Sequence, residues 1–266
     1  MLEAKRFFAD AQNDVSAVYR RLDATYDFSA WHWQRHTPAE YVCISAVLVQ
    51  HTNWSNVERA IERLREAGAF SLDAIGKRAE DALAALVRPA GTPLVKARRL
   101  RALALLAADH GGIDGLLMLP TAALRALLLA THGIGPETAD AIVLNAAGRA
   151  AFQVDAYTKR IFRRLGLGPE RDGYDAWQCW FEERLAPDAE AYRRWHGLLV
   201  LHGKQTCRPR PRCAQCCLLD VCETGQNTSA GRALARRDAG GATHLRRSGF
   251  SPTGRSRAPH TSRPQC

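Results

Sequence analysis

Near the end of the chain the stretch CRPRPRCAQCCLLDVC places Cys207, Cys213, Cys216 and Cys222 with gaps of five, two and five residues. The Cys-x2-Cys pair lets two thiolates from one turn reach a single metal centre, and the flanking cysteines complete a set of four. Disulfides are the rival reading. The first residues, MLEAKRFFADAQNDVSAVYRRL, are charged throughout and show no apolar h-region, so no secretory signal is visible and a cytoplasmic location is expected. A reducing compartment favours metal over disulfide. Zinc and a [4Fe–4S] cluster both suit four thiolates, and the spacing does not choose between them.

A second chemical feature lies in LRALLLATHGIGPETADAIVLNAAG, residues 124–148. Leu124, Leu127 and Leu128 form one apolar stripe and Ala139, Ile142, Val143 and Ala146 another, so each half predicts an amphipathic helix. Between them Gly133 and Gly135 flank Ile134, and Pro136 follows at a first helical position. Two glycines around one apolar anchor permit a tight turn with outward-pointing N–H groups. Those donors and the positive end of the second helix can hold a phosphate. A plain helix–helix turn with a glycine C-cap has the same glycines. Downstream, Asp155 precedes AYTKRIFRRL, where its residue type alone reads as an N-cap.

The elements that must position these residues read as helices. Residues 1–224 show helical periodicity almost throughout and no convincing strand alternation. Thr37-Pro38-Ala39-Glu40 predicts an N-cap, a first-turn proline and a capping-box glutamate before the apolar helix EYVCISAVLVQ. Cys43, inside that helix, reads as core. Further helices are expected at Asn56–Ala67, and within Ala79–Val87, Leu94–Ala108 and Tyr174–Leu185. An all-α fold follows from their short connections.

No apolar run reaches the ~18 residues of a membrane span, so no membrane partner is expected. The net charge of +10 suggests nucleic acid until it is located. Residues 225–266 hold Arg232, Arg236, Arg237, Arg246, Arg247, Arg255, Arg257 and Arg263 against Asp238, a net of +7. Bulk charge therefore says little about what the folded body binds. The same segment, rich in Gly, Ser, Thr, Pro and Arg, is expected to be a disordered basic tail.

The hairpin Gly133–Ala139, Val154-Asp155-Ala156-Tyr157 and the terminal cysteines, in this order and spacing, resemble the helix–hairpin–helix DNA glycosylases of the endonuclease III superfamily. Gln50-His51-Thr52-Asn53-Trp54, Arg88-Pro89-Ala90-Gly91 with Lys96-Ala97, and His202-Gly203-Lys204 extend the similarity over nearly all of residues 1–224. The resemblance implies two helical lobes around a DNA-binding cleft: a six-helix lobe at 31–149 carrying the hairpin, and a cluster-bearing lobe made of 1–30 and 150–224. It implies a [4Fe–4S] cluster in place of zinc, double-stranded DNA as partner, and a monomer. The family's usual cysteine gaps are six, two and five, so the loop Arg208–Arg212 is one residue short here. Cys217, where the family often has proline, is read as a non-ligand. The cluster is expected to fix the loop so that Arg208, Arg210 and Arg212 meet phosphates.

What chemistry the resemblance implies follows from the reaction. Breaking an N-glycosidic bond passes through an oxocarbenium-like transition state that a carboxylate stabilises. Asp155 matches the family's acid. Bifunctional members carry a lysine in the hairpin's second helix that attacks the sugar as a Schiff-base nucleophile. The matching position is Glu137, which cannot form an imine, so the expectation is a monofunctional glycosylase using water. Glu137 itself reads as an acid complementing the helix dipole. Trp33 matches an aromatic that the alkylpurine branch places against the flipped base, and Gln50 matches the residue inserted into the vacated stack. No general acid is conspicuous, which suits cationic alkylated purines because they leave readily. The alternatives are a non-catalytic DNA-binding helix–hairpin–helix protein, a bifunctional glycosylase/lyase, and a zinc-stabilised helical interaction protein.

Overall fold

The computed structural model describes residues 15–234, and among these all regular structure is helical. Helix α1 covers Val15–Thr25 and a 3₁₀ turn Phe28–Ala30 follows it. Eight helices come next: α2 Ala39–Leu48, α3 Trp54–Glu66, α4 Leu72–Gly76, α5 Glu80–Val87, α6 Pro93–Asp109, α7 Ile113–Met118, α8 Thr121–Ala130 and α9 Pro136–Asn145. Residues 31–149, expected as a six-helix lobe, hold these eight helices, the five-residue α4 and six-residue α7 among them. The last four are α10 Ala156–Leu165, α11 Tyr174–Glu182, α12 Ala189–Gln205 and α13 Glu223–Gln226.

Local chemistry explains most boundaries. Asn53 caps α3 by accepting from Asn56 N at 3.0 Å, and Val57, Ala60, Ile61 and Leu64 bury one face of that helix. Residues Val42 to Leu48 of α2 are all buried, as a helix apolar on most sides requires. The capping box expected at its start does not form. The N-cap is Pro38, Thr37 Oγ1 reaches His32 O at 3.5 Å, and Glu40 accepts instead from Leu72 N at 3.2 Å. A tertiary donor, the first residue of α4, has displaced the local one.

The chain closes on itself. α1 packs on α12 through Tyr19 and Trp195, ring centroids 5.1 Å apart, and Arg21 forks onto Asp220. Phe152 stacks on Phe181 at 4.1 Å, and Phe162 meets Phe181 edge-on at 4.7 Å, between α10, α11 and the chain before α10. Helix α9 touches both α2 and α12, so it joins the hairpin half to the C-terminal half. A buried polar knot reinforces this join. Asp140, fully buried, accepts from Arg125 Nε at 2.7 Å, Tyr174 Oη at 2.8 Å and Gln178 Nε2 at 2.8 Å.

The start of the expected tail is corrected. Gly225 is buried inside α13 and residues 229–234 are helical, with Thr228 Oγ1 accepting from Gly231 N at 3.2 Å and Thr228 O from Arg232 N at 3.0 Å. The remaining tail expectation, from residue 235, lies outside the described residues. No helix among the described residues is long and apolar enough to cross a membrane.

Candidate functional site

The hairpin turn is built as the two glycines suggest. Gly133 has φ 78°, in the left-handed region that favours glycine, and Ile134 is buried at 4 % exposure as the anchor. Gly135 caps α9 with no side chain, and a Cβ added there would meet nothing within 4 Å. A side chain would therefore fit at the start of α9. Behind the turn, a Cβ on Gly133 would strike the Arg99 side chain at 2.3 Å. Arg99 donates in turn to Gln50 Oε1, while Gln50 Nε2 donates to Gly133 O at 3.2 Å and Thr138 Oγ1 at 2.9 Å. Gln50 is thus tied to the hairpin, and entry into a DNA stack requires these bonds to break. Lys96 supports the same corner: its buried Nζ donates to Leu48 O at 2.6 Å and to Ala90 O. Burial and then Arg99 lower the Lys96 pKa to about 8.

Asp155 is the N-cap of α10 and is 7 % exposed. One oxygen, Oδ1, accepts from Thr158 N at 2.7 Å and Thr158 Oγ1 at 2.8 Å. The other, Oδ2, faces His196 Nε2 at 3.5 Å, too far for a good hydrogen bond, and Nε2 is buried with no hydrogen-bond partner. Burial by itself would raise the Asp155 pKa. The His196 contact and the two Thr158 donors outweigh it and hold the carboxyl below its ordinary value. The capping role and a charge-bearing role therefore use different oxygens of one side chain.

Glu137 opens α9 beside this acid. The residue is exposed, and neighbouring protein partly desolvates its carboxyl. Burial first, and then the Asp155 charge, push its pKa up to about 7 against the opposing effects of His196 and Lys159. Lys159 Nζ donates to Asp172 O at 3.1 Å and lies 3.9 Å from Asp172 Oδ1.

The aromatic corner differs from the expected one. Trp33 is 3 % exposed and its Nε1 donates to Ser45 Oγ at 3.0 Å, so its ring is a buried wall and offers no open stacking face. Two partly exposed rings here are His32 and Trp54, stacked at 3.4 Å and 19°, and the Trp31 ring lies 4.0 Å from His32. Trp31 also meets His196 edge-on at 5.4 Å, which carries this corner to Asp155. Burial, then the charges of Lys204 and His196, drop the His32 pKa to about 3, leaving it neutral at physiological pH.

His196, Arg99 and the His32–Trp54 stack escaped sequence reasoning. Trp54 was visible beside Gln50, but nothing local couples it to residue 32. His196 lies in an ordinary amphipathic helix and becomes notable only through what it faces.

Cys207, Cys213, Cys216 and Cys222 all line one cavity of about 400 Å³ including its open mouth, with Arg164, His202 and Leu218. Cys217 does not line it, and its carbonyl accepts from Arg21 at 3.2 Å. None of the described cysteines is joined in a disulfide. Among the described residues no three His, Cys, Asp or Glu are gathered as a site for one metal ion. The four thiols line one space, and this donor set fits a [4Fe–4S] cluster, each of whose irons takes its own cysteine. Arg164 Nη1 donates to Cys207 Sγ at 3.3 Å and Gly225 N to Cys222 Sγ at 3.3 Å, and burial raises the Cys222 thiol above its ordinary pKa. Arg208, Arg210 and Arg212 are exposed beside the cavity.

The model of the HhH-GPD superfamily of base excision DNA repair proteins matches residues 44–187. A chain of Methanocaldococcus jannaschii, provisionally named a DNA repair glycosylase, is 39 % identical over 211 residues, covering 78 % of this chain and 95 % of that one. Among solved structures, the 3-methyladenine DNA glycosylase of H. pylori bound to 1,N6-ethenoadenine superposes with TM-score 0.62 at 27 % identity, over 72 % of this chain and 98 % of that one. A non-covalent endonuclease III–DNA complex shares the fold at TM-score 0.63 and 21 % identity, over 85 % and 97 %. A family match across more than half of the residues, together with a relative 39 % identical over 78 % of the chain, makes this chain a member of the HhH-GPD superfamily of base excision DNA repair proteins, and its class of enzyme that of the DNA glycosylases.

Proposed function

We propose that this glycosylase is monofunctional: it hydrolyses the N-glycosidic bond of damaged bases in double-stranded DNA, alkylated purines among them, and leaves the abasic strand intact. The observation that carries this reading is the buried carboxylate of Asp155, held ionised by Thr158 and His196, beside a glutamate at the position where bifunctional relatives have lysine. A fixed negative charge there stabilises the oxocarbenium-like sugar as the base departs. Thr158 and His196 orient the carboxylate, so little reorganisation is needed at the moment of reaction.

In this reading the open N-terminus of α9 at Gly135 takes a backbone phosphate, with Gly133 and Ile134 shaping the turn. Gln50 is released from the hairpin to fill the vacated stack. The flipped base meets the Trp31–His32–Trp54 corner, with Trp33 as its rear wall; an indole face attracts a cationic alkylated purine by about 0.5–2 kcal/mol. Cys207, Cys213, Cys216 and Cys222 hold a [4Fe–4S] cluster, which supplies no step of hydrolysis and fixes the loop that presents Arg208, Arg210 and Arg212 to phosphates.

The test is base release from duplexes carrying single defined lesions, with strand cleavage compared before and after alkali. Cleavage is expected only after alkali, and borohydride should trap no covalent complex. A trapped complex that vanishes in Lys159→Ala would move the nucleophile to Lys159 and make the enzyme bifunctional. Absence of any base release would leave a DNA-binding protein without turnover.

A further inference from the structure

His202 and Thr206, from the end of α12, line the same cavity as the four cysteines. His202 is 1 % exposed, and its Nε2 lies 3.9 Å from Cys216 Sγ, a long contact that a large sulfur atom accepts. Its Nδ1 lies 2.8 Å from Tyr26 Oη, and Tyr26 Oη lies 2.8 Å from Thr206 Oγ1. The Tyr26 and His202 rings meet edge-on with centroids 5.6 Å apart. Tyr26 follows α1 directly, 176 residues before His202. Arg21, within α1, fixes that end by donating to Cys217 O at 3.2 Å and to Asp220 Oδ2 at 2.8 Å.

The protons along this chain of contacts have two self-consistent arrangements. In one, Thr206 donates to Tyr26, Tyr26 donates to His202 Nδ1, and Nε2 carries the imidazole hydrogen toward Cys216. In the other, every donor runs the opposite way and Nε2 turns a lone pair on the sulfur. A metal-bound cysteine is a thiolate, which accepts and cannot donate. It fits the first arrangement and repels the second.

We propose that Tyr26 and His202 form a hydrogen-bond relay to the cluster, in which His202 Nε2–H donates to the Cys216 sulfur and raises the reduction potential of the bound cluster. Tyr26 is the positioning residue that holds this tautomer. The inference rests on the cluster reading of the four cysteines. Donors to cluster sulfurs favour the more negatively charged, reduced form, and the outer partners of a ligand tune a metal they never touch. The Tyr26 hydroxyl on Nδ1 draws electron density from the ring, so it strengthens Nε2–H as a donor. The α1 segment, which holds none of the four cysteines, thereby joins the cluster site.

Protein-film voltammetry of iron-loaded protein, with iron counted per chain, tests the relay in His202→Phe, His202→Gln and Tyr26→Phe. His202→Phe should lower the potential. At a fixed applied potential the oxidised-to-reduced ratio should rise about tenfold, which is about 59 mV for a one-electron couple. His202→Gln, whose amide can donate, should recover part of that shift, and Tyr26→Phe should show the same shift at smaller size. In oxidised, paramagnetic protein labelled with ¹⁵N-histidine, pulsed EPR should show a nitrogen coupled to the cluster that His202→Phe removes. Full iron with a wild-type potential in His202→Phe would overturn the proposal, since a merely structural histidine changes iron content or stability and leaves the potential alone. If His202→Phe loads no iron, Tyr26→Phe decides: at full iron a lowered potential upholds the relay and a wild-type potential overturns it. Wild-type protein holding zinc without iron would sink the cluster reading itself, and the relay with it.

Discussion

His196 Nε2 stands 3.5 Å from Asp155 Oδ2, with both side chains buried and 41 residues apart in the chain. His196 reaches Asp155 because α12 lies against α10 and α9, so the histidine arrives from a different element than the one the acid caps. Its Nε2 has no hydrogen-bond partner. The acid keeps its helix cap through Oδ1, and Oδ2 is left to face the imidazole.

Asp155→Asn should leave duplex affinity nearly intact while slowing base release by at least about a hundredfold, the low end for removing a charge-stabilising group. Gel-shift affinity and single-turnover release separate the two; full activity would remove the acid from the mechanism. The folded pKa of Asp155 lies below its ordinary 3.8. Its contribution to stability is therefore complete above that value and is lost as pH falls below it, so Asp155→Asn should shrink the acid-induced loss of stability without changing behaviour between pH 6 and 8.

Asp140→Asn should destabilise the fold by roughly 3 kcal/mol, because it leaves the Arg125 guanidinium without its buried partner. The check is a lower urea midpoint at unchanged slope. A shift under about 0.5 kcal/mol would mean that the Tyr174 and Gln178 contacts hold the hairpin to α11 by themselves.

Gly135→Asp and Gly133→Ala should fail in different ways. A side chain fits at Gly135, so the aspartate variant should fold and lose DNA affinity at every sequence, with a shallower salt dependence. At Gly133 a Cβ meets both a positive φ of 78° and Arg99 at 2.3 Å, so the alanine variant should lose stability first. Unchanged affinity in a folded Gly135→Asp would take the phosphate away from this turn.

Purified protein should contain about four irons per chain and be yellow-brown. Cys213→Ser should lose the cluster and destabilise the loop, whereas Cys217→Ser, whose cysteine does not line the cavity, should keep it. Stoichiometric zinc without iron in anaerobically prepared protein would defeat the cluster, and the reverse pattern in the two variants would shift the ligand set by one residue.

What residue type and spacing determined by themselves were the local features. Helical periodicity dictated an all-α chain, and Gly133-Ile134-Gly135-Pro136 dictated a tight turn with a buried anchor, because φ, sterics and apolar spacing act within a few residues. The cap at Asp155 was legible for the same reason. Tertiary structure decided what depends on groups far apart in the chain. It spent Glu40 on Leu72 in place of its own helix start and buried Trp33 against Ser45 while leaving His32 and Trp54 partly open. It also separated the charge states of Asp155 and Glu137, because a carboxyl's pKa follows from the burial, donors and charges that packing assembles around it.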